Sequence, residues 1–239
     1  MYYVGLDMHK STFNAAVVDE KGDILREVKL PADPDELINF SESLPVNSNV
    51  VIESSSTWYW AYRILSERHN VVLSNPLKTK AIASAKVKTD KIDALTLANL
   101  LRGGYIPECY IPDMDVQQLR ELVRYRARLV KIRTMIKNSI HSILLMYNIR
   151  LVGYPFTEKF NEELRSIGDP KINGYLNILK ALDAEIDYAS KTIEKEAMEN
   201  EDVKLLMTVP GISYYSALLI ASEIGDISRF PDSSHLVSY

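Results

Sequence analysis

Cysteine is almost absent from this 239-residue chain, with Cys109 its single example. That excludes an internal disulfide framework and fits a reducing compartment. Long apolar runs are missing as well: none approaches 18 residues, and the opening MYYVGLDMHK has no apolar core behind a basic start. Secretion and membrane spanning are thereby disfavoured, and the expectation is a soluble cytoplasmic protein. An excess of positive charge is also lacking, since 28 Lys and Arg face 32 Asp and Glu for a net charge of −4. Any binding of a polyanion must come from local clusters rather than a global field. The four histidines, His9, His69, His141 and His235, show no metal-ligand spacing and read as structural or surface residues.

What is present is apolar substance, 46% of the chain, enough for one large or two smaller cores. YYVGLD, TFNAAVVD and DILREVKL are three β-rich runs, the last two joined by the turn DEKGD, and they predict an antiparallel meander. PDELINFSESL and TWYWAYRILSER have helical spacing, while NVVIES and NVVLSN read as buried strands. Strands alternating with helices after a meander imply a mixed sheet with helices packed on it. The helix DKIDALTLANLLRGG closes this part, stopped by Gly103 and Gly104.

Beyond the linker GGYIPECYIPD the pattern becomes helical. Residues 115–148 carry Leu122, Leu129, Ile136 and Ile143 at sevens, and residues 173–200 carry Leu179, Leu182, Ile186, Ala189 and Ile193 at threes and fours. Two such stripes can bury each other or pair with a second chain. The final segment is a short helix, a Pro-Gly turn in TVPGIS, and an apolar helix stopped by Gly225, followed by SSHLVSY, which breaks off in mid-pattern as a truncated chain would.

Asp7 and Glu53 each follow an apolar strand directly, a costly place for a charge unless it is paired or metal-bound. Carboxyl ends of adjacent strands line the functional crevice of an open α/β sheet. Asp90 and Asp93, three apart in KTDKIDA, share one face of a helix start, where the heptapeptide alone favours a capping box and only the order of the whole acidic set argues for a metal site. Four carboxylates converging there could hold two magnesium or manganese ions, hard cations that take oxygen ligands. Lys78, Lys80, Lys86, Lys88 and Lys91 crowd the approach to the aspartate pair. On the long helix Arg120, Arg124, Arg128 and Lys131 form a stripe at four, four and three, with Arg126, Arg133 and Lys137 nearby and only Glu121 as a local acid. Such a stripe could track a phosphate backbone, or be a solvated helix face.

The order of these acids and their wording resemble the DEDD transposases of the IS110 family. The stretches carrying the resemblance are YVGLDMHKSTFNAAVVDEKG, VVIESSSTWYWAYRIL, VVLSNPLKTKAIASAKVKTDKIDALTLANLL and LMTVPGISYYSALLIASEIGDISRF. The resemblance implies a RuvC-like, RNase H-like mixed-sheet domain over 1–104. A helical coiled-coil domain over 105–200 and a partial C-terminal transposase domain over 201–239 would follow, the last with a helix-hairpin-helix-like turn. It maps the acidic tetrad to Asp7, Glu53, Asp90 and Asp93, with Mg2+ or Mn2+ as cofactor. It further implies DNA and a structured non-coding guide RNA as partners, and a homo-oligomer. The family's nucleophilic serine sits in a Ser-Gly motif that none of Ser213, Ser216, Ser222, Ser228, Ser233, Ser234 or Ser238 matches, so a nucleic-acid-binding remnant is one alternative. A sugar kinase of the actin-like type is another, although Met8, His9 and Lys10 occupy the turn where its phosphate loop needs glycine. Trp58, Tyr59, Trp60 and Tyr62 read mostly as core on a sheet-covering helix.

Overall fold

The computed structural model describes residues 1–55, 57–84, 94–150, 153 and 155–239. It divides into two compact units, Met1–Ile111 and Pro112–Tyr239. The first begins with β1 (Tyr3–Met8), β2 (Thr12–Val18) and β3 (Ile24–Pro31), joined as antiparallel neighbours. The β2–β3 turn holds because Asp19 Oδ1 accepts the N–H groups of Lys21, Gly22 and Asp23, each at 2.9 Å, while Gly22 takes φ +94°.

Helix α1 (Pro34–Glu42) starts where Asp33 accepts from the N–H groups of Asp35 and Glu36, with Pro34 preset for a first turn. Next come β4 (Asn49–Glu53), α2 (Trp58–Leu65), β5 (Asn70–Ser74), α3 (Pro76–Ser84), α4 (Ala94–Arg102) and β6 (Glu108–Cys109). β4 lies parallel to both β1 and β5, and β6 returns antiparallel to β5, giving the order β3-β2-β1-β4-β5-β6. This mixed six-stranded sheet with helices is consistent with an RNase H-like α/β fold. The two-residue β6 falls in the stretch expected as linker, and α3 in a lysine-rich stretch with little apolar periodicity.

Strand alternation sorts the sheet's two faces. Val4, Leu6, Met8, Val50 and Ile52 meet Leu37 and Phe40 of α1 and Ala61 and Leu65 of α2 in one core. Gly5, Asp7, Val51 and Glu53 point the other way, toward α4. A Cβ on Gly5 would lie 2.0 Å from the carbonyl oxygen of Ala94 and 2.6 Å from the nitrogen of Ala98. Glycine here lets α4 rest directly on β1, two residues from Asp7.

The second unit is helical: α5 (Met114–Met146), α6 (Glu158–Ser166), α7 (Pro170–Glu199), α8 (Glu201–Met207), α9 (Tyr214–Ile224) and α10 (Ser233–Val237). α5 and α7 run antiparallel, with Ile140 and Leu144 against Ile172, Leu176 and Leu179 at one end and Val123 against Ile193 and Ala197 at the other. The two apolar stripes thus meet within the chain, and α6, capped by Thr157, packs Phe160 and Leu164 into the first of these clusters. α9 ends at Gly225, φ +64°, as its sequence position predicts. Among the described residues no helix is long and apolar enough to cross a membrane.

Candidate metal centre and nucleic-acid surface

The site grows out of strand register. Leu6 of β1 is paired with Ile52 of β4 in the parallel ladder, so the next residues, Asp7 and Glu53, emerge side by side at the carboxyl ends of adjacent strands. Asp7 is only 7% exposed. Burial pushes the Glu53 carboxyl above its ordinary range, the negative charge of Asp7 adds to the rise, and His9 opposes it. A carboxylate pair that raises its own electrostatic cost is an arrangement that a cation relieves.

Asp7 opens into a cleft of about 430 Å³ lined also by Asn14, Ala15, Glu27, Val28, Lys29, Ala94 and Leu95. Ala94 and Leu95 are the first residues of α4, so the cleft reaches the helix start that follows KTDKIDA in sequence. Asp90 and Asp93 themselves lie outside the described residues, as do Lys86, Lys88 and Lys91, and the capping alternative lies there with them. Among the described residues no three His, Cys, Asp or Glu side chains gather closely enough to hold a metal. The described donors are two hard carboxylate oxygen sets, which fit magnesium or manganese rather than a soft ion.

Two residues given no site role by the sequence meet Asp7: His9, which reads there as structural or surface, and Asn14. His9 Nε2 lies 3.0 Å from Asp7 Oδ2, and Asn14 Nδ2 donates to the same oxygen at 3.3 Å. Asn14 is the in-register partner of Asp7 across the β1–β2 hairpin. The sequence offers only a weak sign of it, a polar residue inside the mostly apolar run FNAAVV, because the pairing with Asp7 appears only once the hairpin register is known.

The basic stripe on α5 is mostly engaged inside the second unit, and Arg120 requires correction. It is 7% exposed, with Nε donating to the Ser222 carbonyl at 2.6 Å and one Nη to the Glu223 carbonyl at 2.8 Å, so it does not lie on an exposed phosphate-binding face. Arg124 makes a bidentate pair with Glu223, both contacts at 2.7 Å, and this holds the Glu223 carboxyl below the usual carboxylate range. Arg126 reaches Ser190 and stacks over Tyr215, Arg133 pairs with Asp183 at 3.0 Å, and Lys137 sits 4.7 Å above the Phe156 ring. The compensating acids come from α7 and α9 rather than from α5. Arg128 and Lys131 remain exposed with no ion pair among the described residues. Lys78 and Lys80 are exposed on α3.

A mixed sheet with two acids at neighbouring strand ends beside a helix start defines an α/β protein built around a carboxylate-lined cleft. The sequence belongs to the IS110-type DEDD transposase family: residues 4–149 match that family, described as a transposase, and residues 203–239 match the transposase family IS116/IS110/IS902. It is 26% identical to the transposase for insertion sequence element IS1111A of Coxiella burnetii, over 99% of this chain and 66% of that protein. It is also 26% identical to the transposase for element IS1533 of Leptospira borgpetersenii, over 94% of this chain and 70% of the relative. A probable family 20 transposase of Pseudomonas aeruginosa is 24% identical over 95% and 69%. The chain spans about two thirds of the length of these relatives. A solved structure of the ethanolamine utilization protein EutJ from Carboxydothermus hydrogenoformans overlays with a TM-score of 0.28 at 10% identity, over 74% of this chain and 82% of that one, too distant to carry an argument.

Proposed function

We propose that the chain is the metal-dependent part of an insertion-sequence transposase, cleaving and exchanging DNA strands under the direction of a structured RNA. The observation that carries this reading is the pairing of Asp7 and Glu53 on the α4 face, with the cleft running to the start of α4. Asp90 and Asp93 complete the set in this proposal. The four acids would hold two magnesium or manganese ions, which when bound stabilise the entering and leaving oxygens of a phosphoryl displacement. The chain's own contribution is to fix Asp7 and Glu53 at neighbouring strand ends, to hold them partly desolvated, and to bring a phosphate backbone against them. Arg128 and Lys131 on α5, Lys78 and Lys80 on α3, and Lys86, Lys88 and Lys91, which neighbour Asp90 and Asp93 in sequence, are the cations we assign to nucleic acid, DNA and guide RNA alike. We also read residues 1–104 as a RuvC-like catalytic domain, 105–200 as a helical domain, and 201–239 as the beginning of a second transposase domain, in an enzyme that works as a homo-oligomer. No serine is assigned as nucleophile. The kinase and remnant alternatives are not favoured once the family matches are weighed.

The test is manganese soaked into crystals of wild type and Asp90→Ala, read by anomalous diffraction. Peaks among Asp7, Glu53, Asp90 and Asp93 that vanish in the variant support the assignment. Four carboxylates too far apart to share an ion, with no peak in wild type, would return Asp90 and Asp93 to the role of helix cap.

A further inference from the structure

The two oxygens of Asp7 are treated differently. Oδ2 lies against His9 Nε2 at 3.0 Å and accepts from Asn14 Nδ2 at 3.3 Å, whereas Oδ1 has no hydrogen bond among the described residues. A carboxylate oxygen can only accept, so this contact is a hydrogen bond in the His9 tautomer that carries its proton on Nε2. The two donors come from the two arms of one hairpin. His9 is held in the β1–β2 turn, where its backbone N–H donates to the Thr12 carbonyl at 2.9 Å, and Asn14 stands on β2 directly opposite Asp7. The orientation of this carboxylate is therefore written into a short local unit.

An unheld aspartate samples several rotamers, and a cation must select one of them. Hydrogen bonds to the rear of a ligating carboxylate remove that cost in advance, and their loss typically weakens metal binding about 10–100-fold. The His9 side chain is 45% exposed and fills no core cavity, so packing alone gives no reason for its position. Asn14 likewise sits at the cleft wall rather than in the apolar core.

We propose that His9, together with Asn14, is a positioning residue for the metal centre, holding Oδ2 of Asp7 so that Oδ1 is the oxygen offered to a divalent cation. This rests on the reading of Asp7 and Glu53 as metal ligands and names the residues that prepare one of them. The longer Asn14 contact makes it the weaker of the two donors.

The experiment is a Mn2+ titration of the 239-residue chain followed by electron paramagnetic resonance, with thermal unfolding of each variant measured in the absence of metal. Two substitutions separate the donor from the ring. His9→Phe keeps the ring and removes the donor, and it should weaken Mn2+ binding about tenfold. His9→Gln removes the ring and keeps an amide donor of similar reach, and it should stay within about twofold of wild type on the same scale. His9→Gln should leave the metal-free melting temperature unchanged, which a histidine held there by its ring would not, and His9→Phe should lower it only by the loss of one partly exposed hydrogen bond. Equal affinities for wild type and His9→Phe, with Asp7→Ala abolishing binding, would overturn the role of His9 while leaving the metal centre intact. That role falls equally if His9→Gln weakens binding as much as His9→Phe. Wild type binding Mn2+ no better than Asp7→Ala and Glu53→Ala would overturn both this inference and the metal-centre reading.

Discussion

Glu53 is the residue at which the fold works against itself. Burial and the neighbouring Asp7 raise its carboxyl above the ordinary range, so the folded metal-free protein holds that proton more tightly than the unfolded chain does. The associated stability is complete below the unfolded carboxylate pKa and is lost as pH rises through the elevated value. Glu53→Gln removes the charge and should raise the metal-free melting temperature near pH 8. The advantage should shrink as pH falls, and Mg2+ should reverse it by stabilising wild type alone; differential scanning fluorimetry across pH checks all three.

At this scale the sequence was readable where one residue carried the message alone. Asp7 and Glu53 announced themselves as charges ending apolar strands. His9 and Asn14 did not, because their meaning depends on hairpin register and on a turn that folds one side chain back onto another. Arg120 was misread for the converse reason: its acceptors, Ser222 and Glu223, lie more than 100 residues away, so counting acids along α5 overlooked them.

Among elements, the contact of α4 with β1 is the one the site depends on. Gly5→Ala would drive a methyl into the Ala94 carbonyl and the Ala98 nitrogen, both backbone atoms with little freedom to yield. The expected loss is about 1–3 kcal/mol of stability, with reduced Mn2+ affinity because the start of α4 must shift. Chemical denaturation and the Mn2+ titration would show the two effects together. On α5 the predictions diverge by position. Arg120→Ala should destabilise the helical unit by about 1–3 kcal/mol, since two carbonyls at the end of α9 lose their donors. Charge reversal at the exposed Arg128 and Lys131 should leave stability within about 0.5 kcal/mol. It should weaken binding to a DNA duplex and flatten its salt dependence by roughly 0.9 in slope for each phosphate no longer neutralised. The elements legible in advance were those with strong period or composition; β6 is too short to have a pattern, α3 lacks an apolar stripe, and α6 was hidden behind the turn residues that precede it.

The whole molecule combines two units of different character, an α/β unit with Asp7 and Glu53 and a helical unit in which much of the basic stripe of α5 is engaged internally. Metal binding should therefore be a property of one unit. Hydrogen exchange with and without Mn2+ at about 100 times its Kd should show protection rising by up to about 2.7 kcal/mol within Met1–Ile111 and unchanged within Pro112–Tyr239. Protection spread evenly over both units would place the ion elsewhere.

The guanidinium of Arg120 closes the end of α9 from a helix on the far side of a long stretch of chain. The two family segments, residues 4–149 and 203–239, are thus stitched together by a residue belonging to the first and carbonyls belonging to the second. Both acceptors are main-chain carbonyls that any side chains at 222 and 223 would still present, so a chimera of these segments should hold only where position 120 keeps its guanidinium and Arg124 keeps a carboxylate at position 223. Chimeras joined between residues 150 and 200 should therefore show their first loss as a lower melting temperature of the helical unit.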